Sequence, residues 1–302
     1  MRGQMAITIK FISVFTSFLM TAVSTHAQGK VFSLPDSCLL FGGSTIVTPD
    51  ASEEIPVPPN IVNKGPRGFP SLSADGNLLS SGFPVELDSS KIWGARCAVA
   101  VFSRSEKRWR TFGDFSHVKY TAISPDGSKV AFIAEKGDSE SRELLLLDLS
   151  SGVITPLKKM NLVSVSWSPD GKKLAIDAWK IAIYDLGSGA LREVCEGGEP
   201  AWSPTGEWIA YLDRSEQKVR LVHPNGTGDH VLKGLGPRFF LGWYRAFFGM
   251  PVWSPDGTKL LLNVRAGLDS AYREVVMLDA RTGKMTKKSQ NGYIWGWARL
   301  RE

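Results

Sequence analysis

Cysteine is scarce: Cys38, Cys97 and Cys195 are the three in 302 residues. That excludes a disulfide scaffold. Their separations match no metal-ligand spacing either, so they read as small buried apolar residues rather than ligands. Histidine is almost as rare, with His26, His117, His223 and His230 the full set of four. Neither an H-E-x-x-H zinc-peptidase motif nor a G-x-S-x-G nucleophile elbow occurs. Ser215 and Lys218 have Ser-x-x-Lys spacing, but they fall at a short connection between strands with no supporting motif, and chance accounts for them. No cofactor motif is present, and the residues point to no bound metal. One-sided charge is missing as well, since 36 Lys and Arg stand against 30 Asp and Glu, scattered rather than gathered in a patch. Nucleic-acid binding, which needs a basic stripe, is excluded on that ground. What the chain has in quantity is aromatic surface, with ten Trp, fifteen Phe and six Tyr. A solvated, disordered chain does not carry that much apolar area.

The longest uncharged apolar run, Phe11 to Val23, is thirteen residues. At 1.5 Å per residue a helix of that length spans about 20 Å, short of a hydrocarbon core of about 30 Å. Arg2 and Lys10 precede the run, and Ser24, Thr25, His26 and Ala27 follow it. This is the tripartite pattern of a cleaved secretory leader. Residues 1–27 are therefore expected to be removed, leaving residues 28–302 as one exported domain, periplasmic or fully secreted. No transmembrane segment is expected after cleavage. The leader holds two basic and no acidic residues, so the formal net charge falls from +6 to +4, compatible with a weak peripheral contact to the cell envelope.

An internal repeat organises the rest. Trp167-Ser168-Pro169-Asp170-Gly171, Trp253-Ser254-Pro255-Asp256-Gly257, Ile123-Ser124-Pro125-Asp126-Gly127 and Trp202-Ser203-Pro204-Thr205-Gly206 each lead into an apolar stretch. A degenerate copy runs Leu72-Ser73-Ala74-Asp75-Gly76. Pro presets φ, Asp bonds back to the local backbone, and Gly takes the left-handed conformation, so each copy is a tight turn between two strands. Asp75, Gly76, Asp126, Gly127, Asp170, Gly171, Gly206, Asp256 and Gly257 are read as turn formers, and the Trp residues as packing between sheets. About twenty residues on, a second signature recurs, opened by Asp148, Asp185 and Asp279 and closed by Gly152, Gly189 and Gly283. One repeat is thus four antiparallel strands, one propeller blade.

The turn serines stand at 73, 124, 168, 203 and 254, and Ala298 takes a sixth place, a mean spacing of 45 residues. Six such units consume the 275 residues left after the leader. The expected fold is an all-β, six-bladed propeller of four-stranded antiparallel blades. Its last inner strand lies at the C-terminus and its outer strands come from the N-terminus, with Lys30 to Leu34 as one and residues 37–50 as the next two. Seven blades, the alternative, would need a further copy of the repeat.

The W-S-P-D-G turn followed by an aliphatic-D-L-x-x-G signature resembles the WD40-like PD40 repeat of the TolB C-terminal propeller. It is also similar to the propellers of prolyl oligopeptidases and of oligogalacturonate lyases. The resemblance covers most of residues 69–302 and implies a TolB-like propeller without the separate N-terminal domain of TolB. It further implies a scaffold that binds a protein or peptide partner or an envelope component. The lyase likeness implies the rival, an enzyme acting on a saccharide or lactone at the channel mouth. His clusters hold manganese in those lyases; here His117, before an inner strand, is the best placed of three scattered histidines and reads as structural.

Irregular segments point to where recognition would sit. Residues 55–70, 83–93, 135–142 and 234–250 all fall on the face where inner strands begin. The segment from Pro237 to Gly249 carries Arg238, Phe239, Phe240, Trp243, Tyr244, Arg245, Phe247 and Phe248, and its Pro and Gly ends suit a short helix. It is either a lid packed over the channel mouth or, if exposed, a contact for a partner or a membrane surface.

Overall fold

The computed structural model describes residues 38–42, 45–47, 52–54, 68–87, 95–136, 141–216, 218–232, 239–240, 251–266, 273–290 and 296–299. Every regular element among them is a β-strand. The chain enters with β1 (Cys38–Gly42), β2 (Thr45–Val47) and β3 (Ser52–Glu54). Sheet I follows as β4 (Ser71–Leu72), β5 (Leu78–Leu87), β6 (Ala95–Ser103) and β7 (Arg108–Phe115). Sheet II is β8 (His117–Ile123), β9 (Lys129–Glu135), β10 (Arg142–Asp148) and β11 (Ile154–Lys159). Sheet III is β12 (Ser164–Trp167), β13 (Lys173–Asp177), β14 (Lys180–Asp185) and β15 (Leu191–Glu196). Sheet IV is β16 (Gly198–Trp202), β17 (Ile209–Asp213), β18 (Lys218–Val222) and β19 (His230–Val231). Sheet V holds β20 (Phe239–Phe240), β21 (Val252–Trp253), β22 (Lys259–Ala266), β23 (Arg273–Asp279) and β24 (Met285–Gln290). Sheet VI joins β25 (Gly296–Arg299) to β1, β2 and β3 in that order. All the strand pairings are antiparallel.

The turns have one chemistry. In the first, Ser73 Oγ donates to Asp75 Oδ1 at 2.6 Å and accepts from Leu78 N at 2.8 Å, while Asp75 Oδ1 takes Asn77 N. The backbone closes through Gly76 N to Ser73 O at 2.9 Å. The same bonds recur from Ser124, Ser168 and Ser254 to Asp126, Asp170 and Asp256. Thr205 stands in for Asp in the fourth turn, its Oγ1 3.0 Å from Ser203 Oγ. The turn glycines sit at φ of about +70°, where a side chain would be strained. Each Ser is buried, and its hydroxyl satisfies backbone that water cannot reach.

The middle strands are buried on both faces, which is why they are apolar runs and not alternating ones. Cys97, Val99 and Val101 of sheet I pack against Val130, Phe132 and Leu147 of sheet II. Ile133 and Leu144 of sheet II meet Trp167, Leu174 and Tyr184 of sheet III. Ile181 and Ile183 meet Trp202 and Tyr211 of sheet IV, and Leu212 and Leu221 meet Trp253 and Leu262 of sheet V. Consecutive sheets are therefore stacked face to face in chain order, as propeller blades are. Two Trp side chains also cross the gaps: Trp167 Nε1 donates to Ala122 O at 2.8 Å and Trp253 Nε1 to Ala201 O at 2.9 Å. Trp202 is different, donating within its own turn to Gly206 O at 3.2 Å.

Three expectations are corrected here. Phe239 and Phe240 are not helical. They are a strand, paired with Ala266 and Arg265 at the far end of β22, while Val252 and Trp253 pair with Leu261 and Leu260 further along it. The inner strand of sheet V thus comes in two pieces. The expected helix from Pro237 therefore does not hold at Phe239 and Phe240, and residues 241–249 lie outside the described residues. Second, residues 83–87 are the end of β5 and pair with β6, so the irregular part of 83–93 is shorter than the sequence suggests. Third, β1 pairs directly with β25, through Leu39 with Ala298 and Leu40 with Trp297, and β3 supplies the fourth strand. The N-terminal strands are displaced by one from the expected assignment, because residues 52–54 also pair. Lys30 to Leu34 lie outside the described residues.

Candidate functional site

Each inner strand ends at a repeat turn, so residues equally spaced before the turn Ser occupy equivalent places. Four before it stand Phe69, Tyr120, Ser164 and Glu199 in sheets I to IV; Met250 and Ile294, the next two, lie outside the described residues. Two residues nearer the turn, on the same side of the strand, Ser71 and Ser166 tie neighbouring inner strands together. Ser71 Oγ accepts from Ile123 N and Ser166 Oγ from Trp202 N, both at 3.0 Å. A parallel bridge joins Phe69 to Tyr120, and their rings stack with centroids 5.5 Å apart. The aromatic, phenol, hydroxyl and carboxyl groups thus come from successive strands.

Asp177 organises the polar end of this row. It closes β13 and is 0% exposed. Its carboxylate accepts from Arg214 Nη2 at 2.5 Å, from Glu199 N at 3.1 Å and from Trp179 N at 3.1 Å. Arg214, just after β17, also donates to Trp179 O at 3.0 Å and Gly197 O at 2.6 Å, and its guanidinium lies 5.4 Å from the Trp179 ring centre. A side chain at Gly198 would collide with both Arg214 and Asp177, which accounts for glycine there. The ion pair therefore clamps the β13–β14 turn to the start of β16.

Two residues in this clamp have a left-handed backbone that their side chains disfavour: Trp179 at φ 71° and Glu199 at φ 53°. Trp179 is 61% exposed. Glu199 is part-exposed as a residue, yet its Oε2 is buried and makes no hydrogen bond. Ser164, wholly buried, stands beside that carboxyl, and its hydroxyl is placed to donate to it. Burial, and after it the charge of Asp177, pushes the Glu199 carboxyl up to about 7, against the partial relief that Arg214 and Ser164 provide. The Tyr120 hydroxyl is held well above its ordinary value by burial and by the charges of Glu199 and Asp177. Two carboxyl groups here face one guanidinium.

A second charged cluster lies on the same face of sheet II. Glu135, at the end of β9, is approached by Arg142 Nε at 3.2 Å, Lys119 Nζ at 3.4 Å and His117 Nδ1 at 3.7 Å. Arg142 also donates to Leu162 O at 2.8 Å. His117 is thus at an inner-strand entrance, engaged with a carboxylate. His223 and His230 pack on Trp208, with ring centroids 3.8 and 5.2 Å away, in the outer part of sheet IV. Ser215 Oγ is bonded to Asp213 and Lys218 Nζ to Glu216. Cys97 is buried in β6, Cys195 is a half-buried free thiol, and Cys38 belongs to β1. Among the described residues no group of three or more His, Cys, Asp or Glu could hold a metal ion, and no helix is long and apolar enough to cross a membrane. Of the aromatic segment, Phe239 and Phe240 are placed by their backbone in β20, whereas Arg238, Trp243, Tyr244, Arg245, Phe247 and Phe248 lie outside the described residues.

No family model and no curated protein matches the sequence. Solved structures do match the fold. TolB from Acinetobacter baumannii superposes with a TM-score of 0.58 at 15% identity, over 84% of this chain and 65% of its own. A TolB from Agrobacterium tumefaciens gives 0.58 at 20% identity, over 76% of this chain and 84% of its own. The fold is that of a TolB-like propeller. An oligogalacturonate lyase solved in complex with manganese gives 0.52 at 14% identity, over 74% of this chain and 66% of its own.

Within this TolB-like propeller the residues that converge are not those the motifs singled out. Asp177, Trp179, Glu199 and Arg214 were missed because none belongs to a turn signature. One signal was available: lining up the inner strands puts an acid at Glu199 where the other repeats have Phe, Tyr, Ser, Met and Ile. A carboxylate in a row of apolar and hydroxyl side chains marks a departure from packing alone.

Proposed function

We propose that this is an exported propeller that binds a protein or peptide partner through the face where its inner strands begin. The observation that carries the reading is Trp179, an exposed indole on a left-handed backbone, braced by Arg214 and Asp177. Glycine or asparagine would suit that turn better, and the indole covers little of the core. A bulky aromatic retained there at a cost in backbone strain is best explained by what it contacts outside the chain. In this reading the six sheets are six blades closed by β1 on β25, and residues 28–302 form the single mature domain after a leader is cleaved near Ala27. In the same reading the aromatic segment 237–249 supplies Arg238, Phe239, Phe240, Trp243, Tyr244, Arg245, Phe247 and Phe248 to the binding surface.

The test is site-specific photocrosslinking in the intact cell that makes the protein. Benzoylphenylalanine at position 179 should capture a discrete partner, and the same group at Ser188, in a turn of the opposite face, should not. Equal capture from both positions, or none from 179, sinks the reading. The mass of the mature chain checks cleavage near Ala27.

A second reading, an enzyme working at the same mouth, draws on Glu199, whose carboxyl sits at about 7 and so suits proton transfer. The lyase likeness is one of fold, so it names no substrate for this chain. Turnover of an oligouronide, followed by the absorbance of the unsaturated product and abolished by Glu199→Gln, would favour this reading over the first.

A further inference from the structure

The start of β16 is irregular in three successive residues. Gly197 sits at φ 142°, and Gly198 has no room for a side chain beside Arg214 and Asp177. Glu199 follows on its left-handed backbone, where the ladder between β16 and β17 shifts register between Gly198 and Ala201. Two glycines before a break in the ladder give this segment the freedom of a hinge. Its bonds lead to the clamp. Gly197 O accepts from Arg214 Nη1 at 2.6 Å, and Glu199 N donates to Asp177 Oδ2 at 3.1 Å. Trp179 depends on the same pair, its N–H on Asp177 Oδ1 and its carbonyl on Arg214 Nη1. The seat of the exposed indole and the seat of the Glu199 carboxyl are therefore one assembly. We propose that Gly197–Glu199 is a proton-operated latch, closed on Asp177 and Arg214 while Glu199 is neutral and swung outward when Glu199 ionises, so that Trp179 is held firmly only in the closed form.

Charge supplies the reason. The groups that face Glu199 in the closed form are Tyr120 on β8, Ser164 on β12, Asp177 at the end of β13 and Arg214 after β17, and that arginine is already bonded to Asp177 Oδ2. The Ser164 hydroxyl can donate a hydrogen bond, but it cannot offset a second negative charge beside Asp177. Opening the latch takes the carboxylate to water. A carboxyl at about 7 when closed and 4.5 in water holds its proton roughly 300-fold more tightly closed than open. The advantage of the closed form is complete below about pH 4.5, is lost as pH rises to about 7, and changes no further above that. The latch rests on the binding-face reading above and gives that face its regulation, with Trp179 firm in mild acid and loosened in mild alkali.

The experiment is hydrogen exchange of the purified protein, read at single amides between pH 5 and pH 8 and corrected for the intrinsic exchange rate. The Trp179 and Glu199 amides, both bonded to Asp177, report the latch. The Gly171 amide, bonded to Ser168 O in a turn of the opposite face, is the local control, and Phe132, buried in β9, reports global unfolding. Opening at Trp179 and Glu199 should rise roughly 70-fold from pH 5 to pH 8, while Gly171 stays nearly constant. In Glu199→Gln the rise should disappear and both amides should remain protected at pH 8. No rise with pH, a rise that persists in Glu199→Gln, or exchange at both amides no faster than at Phe132 at pH 8 would each overturn the latch, the last because the opening would then be global. Capture of a partner at position 179 with no pH-dependent opening would overturn this inference and leave the binding face standing. Opening that follows pH with no capture at 179 would support the latch and remove the binding face.

Discussion

Replacing Glu199 by Gln tests the electrostatics of the site through stability alone. A carboxyl that titrates at about 7 when folded and near 4.5 in the open chain holds its proton more tightly in the folded state. The folded state is then favoured while the group is protonated, and that advantage is lost as pH rises from about 4.5 to about 7, flattening above. Each tenfold displacement of a proton equilibrium is about 1.4 kcal/mol, so ionising Glu199 costs the folded protein about 3 kcal/mol by pH 8 and less than about 1 kcal/mol at pH 5. Gln has the shape of the protonated acid and never ionises. Glu199→Gln should therefore be close to the parent at pH 5 and more stable by about 3 kcal/mol at pH 8. For a domain of this size that is a rise in Tm of roughly 6–12 °C. Urea unfolding followed by tryptophan fluorescence at half-unit pH steps measures the difference directly. A difference between variant and parent that does not change with pH would refute the reasoning, as would a variant less stable than the parent at pH 8. Either result would mean that the carboxyl ionises normally and has a partner at hand.

Other expectations follow from the same geometry. Asp177→Asn strands the Arg214 guanidinium and removes the clamp between β13 and β16, so it should cost about 3–5 kcal/mol at pH 7, measured by urea unfolding. Trp167→Phe keeps most of the ring but leaves Ala122 O without its inter-sheet donor, a loss of about 1–3 kcal/mol; a cost under half of that would show the bond to be incidental. Gly171→Ala meets open space but demands a side chain at φ 68°, and should lose about 1–2 kcal/mol from backbone strain alone, with Gly171→Asn losing less. In a Cys38→Ser background the two remaining thiols should react slowly with a thiol reagent at pH 8. Cys97 is fully buried and burial pushes Cys195 up to about 11; rapid labelling of the native protein would contradict this.

How much of this molecule can be read from its sequence depends on what each residue is needed for. The turns were legible because their geometry admits few residues. A buried Ser whose hydroxyl caps two backbone groups, an Asp or Thr two positions on, and a Gly at positive φ form a unit that alternatives break. Repetition at a blade's spacing then multiplies the signal, and the apolar second and third strands follow because both their faces are covered. The aromatic segment was visible for the opposite reason, as an interruption. Its relation to the sheet was not visible, since strand pairing at Phe239 and Phe240 depends on partners at 265 and 266 that no local pattern announces. The polar site obeys neither logic. Asp177 and Arg214 lie 37 residues apart and meet only because adjacent sheets stack, and Trp179 occupies a turn position against its own backbone preference. Such residues stand out as violations of local rules, and a violation can be recognised only when the rule is known position by position. The repeat supplies that rule at the inner strands, which is why Glu199 could have been found there and Trp179, in a connection that differs from sheet to sheet, could not. The same reasoning ranks the two as targets. Glu199→Gln removes a strain that folding does not need, whereas Trp179→Gly also relieves an unfavourable φ, so both should leave the scaffold intact or more stable. If binding is lost in Trp179→Gly, and loses its pH dependence in Glu199→Gln, while Tm holds or rises, stability and function are opposed at this face, as expected where a protein keeps residues for a ligand rather than for itself.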